Sequence, residues 1–457
     1  MTASGTATTE FADAASPPSG NVWIIGAAAL MTMLPVTLLV PVLREILADR
    51  FAASTFWTHS FMSINMIGAI AALPLIARFS DRAGSRRMVI ATALLLDAVL
   101  FLGMSRAASL PVVLALRALE GAAHMLAISS LMAMAADGSA PNRRGRMMGL
   151  IGSCMMFGTA AGTRLGGVVW RTWPGWTFEA AAMIAMFTAV FVAVVLPSTS
   201  NRATPRKRPN VVALLRNHRE LFVPYAYTFI DRLCVGFVIS TFVLFLAECH
   251  GLDPDGRSRL LALFLVPFAL LVYPAGRLTD RIGGLVPLAF GSIAFGLLFA
   301  CYGIIPARWL PVAMVASGVL SALMFAPTLA LTAELAPPGR RGAAFAGFNA
   351  AGSLGFICGP ILGGAVCQLL SGSLGTVGAF RTAFVVAGAT EVACAVLTLR
   401  LLLKLQRGGS LWSTRRIVVE ARSAPRARTP SGAAPEGIGH APPISLTIPN
   451  PRNGDSR

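Results

Sequence analysis

The chain has 457 residues, enough for two or three soluble domains, yet 55% of them are hydrophobic and only 13% are charged. Soluble proteins carry about 25% charged residues, so water is excluded as the solvent of most of this chain, in line with a mean hydropathy of +0.69. The net charge of +18, from 38 Lys and Arg against 20 Asp and Glu, has to be interpreted from where those charges sit.

A helix rises about 1.5 Å per residue and the hydrocarbon core is about 30 Å thick, so one crossing needs about 20 mostly apolar residues. In chain order the qualifying runs are approximately 22–43, 56–77, 88–105, 110–136, 147–169, 177–196, 221–246, 258–278, 285–305, 309–334, 343–367 and 381–403. Continuous apolar runs predict α-helices, because a barrel would show short strands of alternating polarity. The expectation is an all-α membrane protein with twelve transmembrane helices. Residues 1–21 hold no Lys or Arg, so they lack the basic start of a cleaved signal peptide and read as a disordered tail. Residues 22–196 and 221–404 form two six-helix bundles, 197–220 a basic linker, and 405–457 a disordered basic tail rich in Arg, Pro and Ser.

The connections decide orientation. The even-numbered ones hold seventeen basic residues: Arg78, Arg82, Arg86, Arg87, Arg143, Arg144, Arg146, Arg202, Arg206, Lys207, Arg208, Arg216, Arg219, Arg277, Arg281, Arg340 and Arg341. The odd-numbered ones hold eight, namely Arg44, Arg50, Arg106, Arg171, Arg257, Arg259, Arg308 and Arg381. The positive-inside rule makes the even side cytoplasmic, with both termini there. Most of the +18 is therefore topology signal, which argues against a nucleic-acid partner. Six of the seven Cys lie in apolar runs, so no disulfide framework is implied, and no metal-ligand spacing is present. With no nucleophile elbow or phosphate-binding loop, the sequence predicts neither an enzyme nor a bound cofactor.

The two halves repeat at an offset of roughly 200 residues. Asp81-Arg82-Ala83-Gly84 returns as Asp280-Arg281-Ile282-Gly283, and Arg143-Arg144-Gly145 as Arg340-Arg341-Gly342, with Asp137 and Glu334 eight residues before each Gly. Gly162-Thr163-Arg164-Leu165-Gly166-Gly167 matches Gly359-Pro360-Ile361-Leu362-Gly363-Gly364, and Leu110-Pro111-Val112 matches Leu310-Pro311-Val312. Parallel repeats of this kind occur in secondary transporters that rock about a site at the membrane midplane.

On these residues the chain resembles the major facilitator superfamily along all twelve helices. The loop Ala77-Arg78-Phe79-Ser80-Asp81-Arg82-Ala83-Gly84-Ser85-Arg86-Arg87 resembles the family's G-x-L-x-D-R-x-G-R-R signature, with Ala77 and Phe79 for its Gly and Leu. Gly276 to Gly284 is the second copy. Arg117-Ala118-Leu119-Glu120-Gly121 resembles the R-x-x-Q-G signature of helix 4, with Glu120 for Gln. The antiporter signature G-P-x-x-G-G is intact at Gly359 to Gly364, while the helix 5 copy has Thr163 for Pro and carries Arg164.

The resemblance implies that Asp81, Arg82, Asp280 and Arg281 latch the cytoplasmic face, with Gly84 and Gly283 allowing the tight reversals; the plainer alternative is topology anchoring. Gly158, Gly162, Gly166 and Gly167 on helix 5, and Gly355, Gly359, Pro360, Gly363 and Gly364 on helix 11, form the antiporter-type motif or simply let helices approach closely. The residues richest in information are the ionisable groups inside the spans: Asp97, Arg117, Glu120, His124, Arg164, Asp231, Arg232 and Glu391. Each charge at mid-bilayer costs about 3 kcal/mol, so these must pair, take up protons or face water. Arg117, Glu120 and His124 share one stripe of helix 4, and Asp97 lies at the depth of Arg117, which suggests an ion pair there. Asp231 or Glu120 is the candidate proton-coupling group, against fixed structural pairing with Arg232 and Arg117. Arg164 is either an anion contact or an outer-face snorkelling residue. Glu391 is expected at the periphery.

The function expected from the resemblance is secondary active transport, by a monomer in a bacterial inner membrane, of a small-molecule substrate coupled to protons. Efflux through an antiport mechanism comes first, following the Gly-Pro signature and the Val40-Pro41 end of helix 1. Uptake of an organic anion is the alternative, suggested by Arg117, Arg164 and Arg232. A membrane sensor that binds without turnover would show degraded gating loops, whereas both copies are well formed.

Overall fold

The computed structural model describes residues 20–82, 85–137, 144–197, 211–337 and 341–407. α1 spans Gly20–Leu38 and runs on through a 3-10 turn, Val40–Val42, and a π-helical turn, Arg44–Asp49. α2 (Thr55–Arg82), α3 (Arg86–Arg106), α4 (Leu110–Asp137), α5 (Arg144–Thr172) and α6 (Thr177–Val195) complete the first half. A short helix, Val211–Asn217, precedes α7, which comprises Phe222–Phe237, a π-helical turn at Val238–Phe242, and Val243–Glu248. α8 (Pro254–Ile282), α9 (Leu285–Ala300) and α10 (Leu310–Leu335) follow. The run Arg341–Arg407 holds α11 and α12, parted at Gly375, whose φ of 68° lies in the left-handed region that glycine tolerates. The chain is thus an all-α membrane protein of twelve spans in two six-helix bundles.

Among the described residues, eight helical runs are long and apolar enough to cross a membrane, the last of which, Ala344–Lys404, has the length of two crossings. α2 and α5 have 28 and 29 residues but carry charged residues in their end turns. The residues 1–19, 83–84, 138–143, 198–210, 338–340 and 408–457, which include both expected tails and Gly84, lie outside the described residues. The same holds for the side chains of Asp81, Arg82 and Asp280, which sit in the last turns of α2 and α8.

In the first half α1 packs on α5 and α6, α2 on α4, and α3 on α4 and α6. In the second half α7 packs on the α11–α12 run, α8 on α10, and α9 on α10 and α12. The halves meet along two seams, α5 with α8 and α2 with α11. Glycines set the close approaches. A Cβ on Gly158, Gly162 or Gly166 would meet the α1 backbone oxygens of Leu30, Leu34 and Leu38 at 2.3, 2.6 and 2.0 Å. On α11, Gly355 and Gly359 press in the same way on Phe229 O and Leu233 O of α7, at 2.1 and 2.4 Å. The repeated glycine stripes therefore bind α5 to α1 and α11 to α7. The last glycine of each motif instead faces across the seam: a Cβ on Gly167 would lie 2.2 Å from Ser258 Oγ, and one on Gly364 2.8 Å from His59 Cβ.

Candidate functional site

The α2–α4 crossing creates the first cluster of charges. A Cβ on Gly68 would lie 1.8 Å from Ala118 O, and one on Gly121 1.9 Å from Asn65 O, so only glycine lets the two backbones come this close. That approach puts Asn65 against the charged stripe of α4, where its Nδ2 donates to Glu120 Oε2 at 2.6 Å. Arg117 Nη1 donates to the same oxygen at 2.7 Å and its guanidinium lies 5.0 Å from the Phe61 ring centroid. Across from them on α3, Asp97 Oδ2 is 3.7 Å from His124 Nδ1. The direct partner of Arg117 is thus Glu120, the structural pairing set against proton coupling, because the i, i+3 spacing on one helix brings the two side chains together, and Asp97, at the same depth, makes no hydrogen bond to it.

Asp97, Arg117 and Glu120 are wholly buried and His124 is 5% exposed. Both Asp97 carboxylate oxygens and Glu120 Oε1 have no hydrogen-bond partner among the described residues. With His124 neutral, two carboxylates face one guanidinium, and the cluster is one positive charge short. Ligand atoms of Asp97, Glu120 and His124 lie within 4.8 Å of one another, a grouping that linear spacing did not reveal because Asp97 comes from a different helix. Arg117 already provides the cation beside Glu120, so this set suits a proton better than a metal ion.

The second cluster lies in the other half. Asp231 Oδ2 is 3.7 Å from Arg232 Nε, and the Arg232 guanidinium lies 4.8 Å from the Phe325 centroid and 5.5 Å from that of Phe356. Glu391 is not peripheral: it is wholly buried, and Cys234 Sγ of α7 donates to its Oε2 at 3.8 Å. The cause is another glycine crossing, in which a Cβ on Gly388 would lie 2.3 Å from Gly296 O. This draws α12 onto α9 and turns Glu391 inward. A lone acid in an apolar run signals its cost, but its facing helix was not legible.

The third set lies at the end of the bundle that carries the odd-numbered connections, the odd-loop end. Arg164 is paired in this conformation, with its side chain 35% exposed. Its Nη1 donates to Asp255 Oδ1 of α8 at 2.5 Å and to Ser258 Oγ at 3.2 Å. Arg171 Nη1 donates to Asp255 Oδ2 at 3.3 Å, and Arg259 donates to the same oxygen from within α8. Nearby, Arg257 Nη1 donates to Glu45 Oε2 at 3.1 Å, Nη2 to Oε1, and Nε to Leu252 O at 3.0 Å. On the α2–α11 seam Ser63 Oγ donates to Ile357 O at 2.7 Å, and Phe56 N to Gln368 Oε1 at 3.2 Å. Toward the even-loop end, by contrast, a Cβ on Gly152 of α5 or Gly276 of α8 would meet nothing within 4 Å. Asp255, Glu45 and the pairing role of Arg257 were missed from sequence because the partners are up to 212 residues apart. Arg257 and Arg259 read there only as loop charges.

At the second signature loop Gly283 has φ 83° and closes the reversal between α8 and α9, a backbone region in which a side chain would be strained.

Comparison with known proteins adds identity to this geometry. A sequence model described as Major Facilitator Superfamily matches residues 25–248 and 225–435. A triacylglyceride transporter of Mycolicibacterium hassiacum is 30% identical over 189 residues, which cover 40% of this chain and 35% of that protein; the match spans about a third of that relative's length. Among solved structures, the bacterial homolog of the human lysosomal transporter Spinster, inward-facing and unoccupied, aligns with a TM-score of 0.70 at 14% identity, covering 87% of this chain and all of that one. The nucleoside transporter NupG aligns at 0.68 and 12% identity, over 84% of this chain and 99% of its own. A D-xylose–proton symporter aligns at 0.68 and 16% identity, over 83% and 96% respectively. At these identities the structures share the fold.

Proposed function

Because the chain belongs to the Major Facilitator Superfamily, we propose that it works as a secondary active transporter that exports a small organic or amphipathic solute in exchange for protons. The observation that carries this reading is the buried α3–α4 cluster, where with a neutral His124 the one cation facing Asp97 and Glu120 is Arg117, and three carboxylate oxygens have no hydrogen-bond partner among the described residues. A charge deficit of this kind inside a membrane span is met by a proton, which can be taken up and given back as the site changes exposure. Rocking of the two halves supplies that change.

In this reading the even-loop end faces the cytoplasm, following the distribution of Arg, and both termini are on that side. The odd-loop end is held by the Asp255 and Glu45 ion pairs while the α5–α8 seam opens toward the cytoplasm, a conformation ready to receive solute from inside. Asp81, Arg82, Asp280 and Arg281 would form the opposing latch in the alternate conformation, with the bundles 22–196 and 221–404 moving as the two rocking bodies. The name of the Mycolicibacterium relative supports an amphipathic or lipid-like solute. Uptake of an organic anion is the second reading. Arg232, 3.7 Å from its carboxylate and set over aromatic rings, favours it, but Arg117 and Arg164 are each held by a carboxylate.

Vesicles separate the two. In inside-out vesicles with an acidic lumen, an exported solute added outside should dissipate the pH gradient, whereas a symported anion should accumulate in right-side-out vesicles held in acidic medium. A panel of amphipaths and organic anions that moves no protons in either orientation would refute the proton-coupled reading.

A further inference from the structure

A cavity of about 10 Å³ lies among α7, α9, α10 and α12, and its walls include Tyr227, Thr228, Asp231, Ser292, Thr328 and Glu391. That volume is at the lower limit for one water molecule, which would need two to four polar partners, and this wall offers them. Two carboxylates border the same small space, and each presents an oxygen without a hydrogen-bond partner among the described residues: Oδ2 of Asp231, which Arg232 Nε approaches to 3.7 Å, and Oε1 of Glu391. Asp231 is 7% exposed and Glu391 wholly buried.

The groups facing this pair can be named helix by helix. α7 contributes Tyr227, Arg232 and Cys234; α9 contributes Ser292; α10 contributes Thr328 and Phe325; α12 contributes Cys394. α11 contributes Phe356 beneath the Arg232 guanidinium. Arg232 is the one cation described among them, and it sits on the Asp231 side. Two ionised carboxylates would leave the site one negative charge in excess, at a depth where burial of an unpaired charge is costly.

We propose that Asp231 and Glu391 are a proton-binding pair: they hold a single proton between them at neutral pH, with one water in the cavity bridging Oδ2 and Oε1. The pair then carries one negative charge, balanced by Arg232. Carboxylates that share a site in this way titrate as a unit, so the proton belongs to the pair rather than to either residue. This goes beyond the transport reading, since it describes the resting protein whatever solute it moves, and it assigns a role to a residue on α12 that the α3–α4 cluster does not involve.

Infrared spectroscopy of the full chain in lipid nanodiscs at neutral pH tests it. The carbonyl stretch of a protonated carboxylic acid is compared among wild type, Asp231→Asn, Glu391→Gln and the double variant, each taken as a difference against wild type so that the α3–α4 cluster cancels. Both substitutions are nearly isosteric, and monodisperse elution with unchanged helicity verifies folding. In either single variant the remaining carboxylate has no second acid beside it and the Arg232 charge is no longer shared, so a proton held by the pair requires it to ionise. Intensity unchanged in Asp231→Asn but lost in Glu391→Gln would show a proton held by Glu391 alone and would overturn the proposal. Each single change should therefore remove one carboxylic acid's intensity, and the double variant should remove no more. Two independent protonated acids would instead lose one intensity per substitution and two in the double variant, and two ionised carboxylates would lose none; either outcome overturns the proposal. Because no solute is used, the result stands apart from success or failure of the transport assay.

Discussion

Arg257, on α8, donates to Glu45, beyond the end of α1, through both arms of its guanidinium, and thereby ties the two halves together at the odd-loop end. Arg257 is only 1% exposed, so this is a buried, bidentate pair rather than a surface contact, and losing one partner of such a pair costs about 3–5 kcal/mol. Arg257→Ala is predicted to favour conformations open at this end. Maleimide labelling of a Ser258→Cys reporter, at a position buried in the closed seam and in a chain whose seven native Cys are replaced by Ala, should be slow with Arg257 in place and at least tenfold faster with Arg257→Ala, ten being about 1.4 kcal/mol. The exchange Glu45→Arg with Arg257→Glu should restore slow labelling. Equal labelling rates in all three proteins would show that the pair does not hold the seam.

The neighbouring Asp255 is touched by three guanidinium groups of unequal burial. Side chains of Arg171 and Arg259 are 58% and 60% exposed, and that of Arg164 is 35% exposed. Exposed pairs contribute about 0–1 kcal/mol, so Arg171→Ala and Arg259→Ala are predicted to change little. Arg164→Ala should have the largest effect of the three, because it removes the contact that crosses from α5 to both Asp255 and Ser258. The same Ser258→Cys reporter would not serve here, since Ser258 is itself a partner; a Cys at Phe56, beside the Gln368 contact, reads the closure instead. A ranking with Arg171→Ala or Arg259→Ala above Arg164→Ala would contradict this account.

The glycine crossings make a prediction about stability. A side chain at Gly121 would meet the Asn65 backbone at 1.9 Å, and overpacking of this kind costs about 1–3 kcal/mol or more. Gly121→Ala should lower the thermal midpoint in detergent. Gly152→Ala, in a helix where the added methyl meets nothing within 4 Å, should leave it unchanged or raise it, since Ala exceeds Gly in helix propensity by about 1 kcal/mol. Equal midpoints for the two variants would mean that the α2–α4 crossing can relax.

Helix count, the two-copy arrangement and the charged stripe of α4 were legible because each is local: a run of about 20 apolar residues, a repeated string, a spacing of three. What could not be read was which helix faces which. Glu391 looked peripheral because its inward turn depends on Gly388 meeting Gly296. Arg257 looked like a loop charge because Glu45 lies in the other half of the chain. In each instance the deciding fact is a contact between distant segments, and one sequence records residue types without their neighbours. The signature-loop residues Asp81 and Asp280 remain readings from resemblance.

The α3–α4 cluster gives the prediction on which the transport reading depends. If the proton that balances Asp97 and Glu120 is the coupled one, Asp97→Asn supplies a permanently neutral group and removes the need for it. The variant should then exchange solute between two solute-containing compartments at near-native rate, since exchange needs only the rocking step. It should also lose accumulation driven by a pH gradient. Glu120→Gln should do worse, because it strips Arg117 of its 2.7 Å partner and leaves Asp97, which makes no hydrogen bond to the guanidinium, as the remaining carboxylate, so both exchange and insertion are expected to suffer; breaking one member of a buried charged pair costs about 3–5 kcal/mol. The two activities are read in the same proteoliposomes, with and without an imposed gradient, for any solute found to discharge the pH gradient in the vesicle screen. Gradient-driven accumulation that survives Asp97→Asn at wild-type levels would remove this cluster from the coupling path.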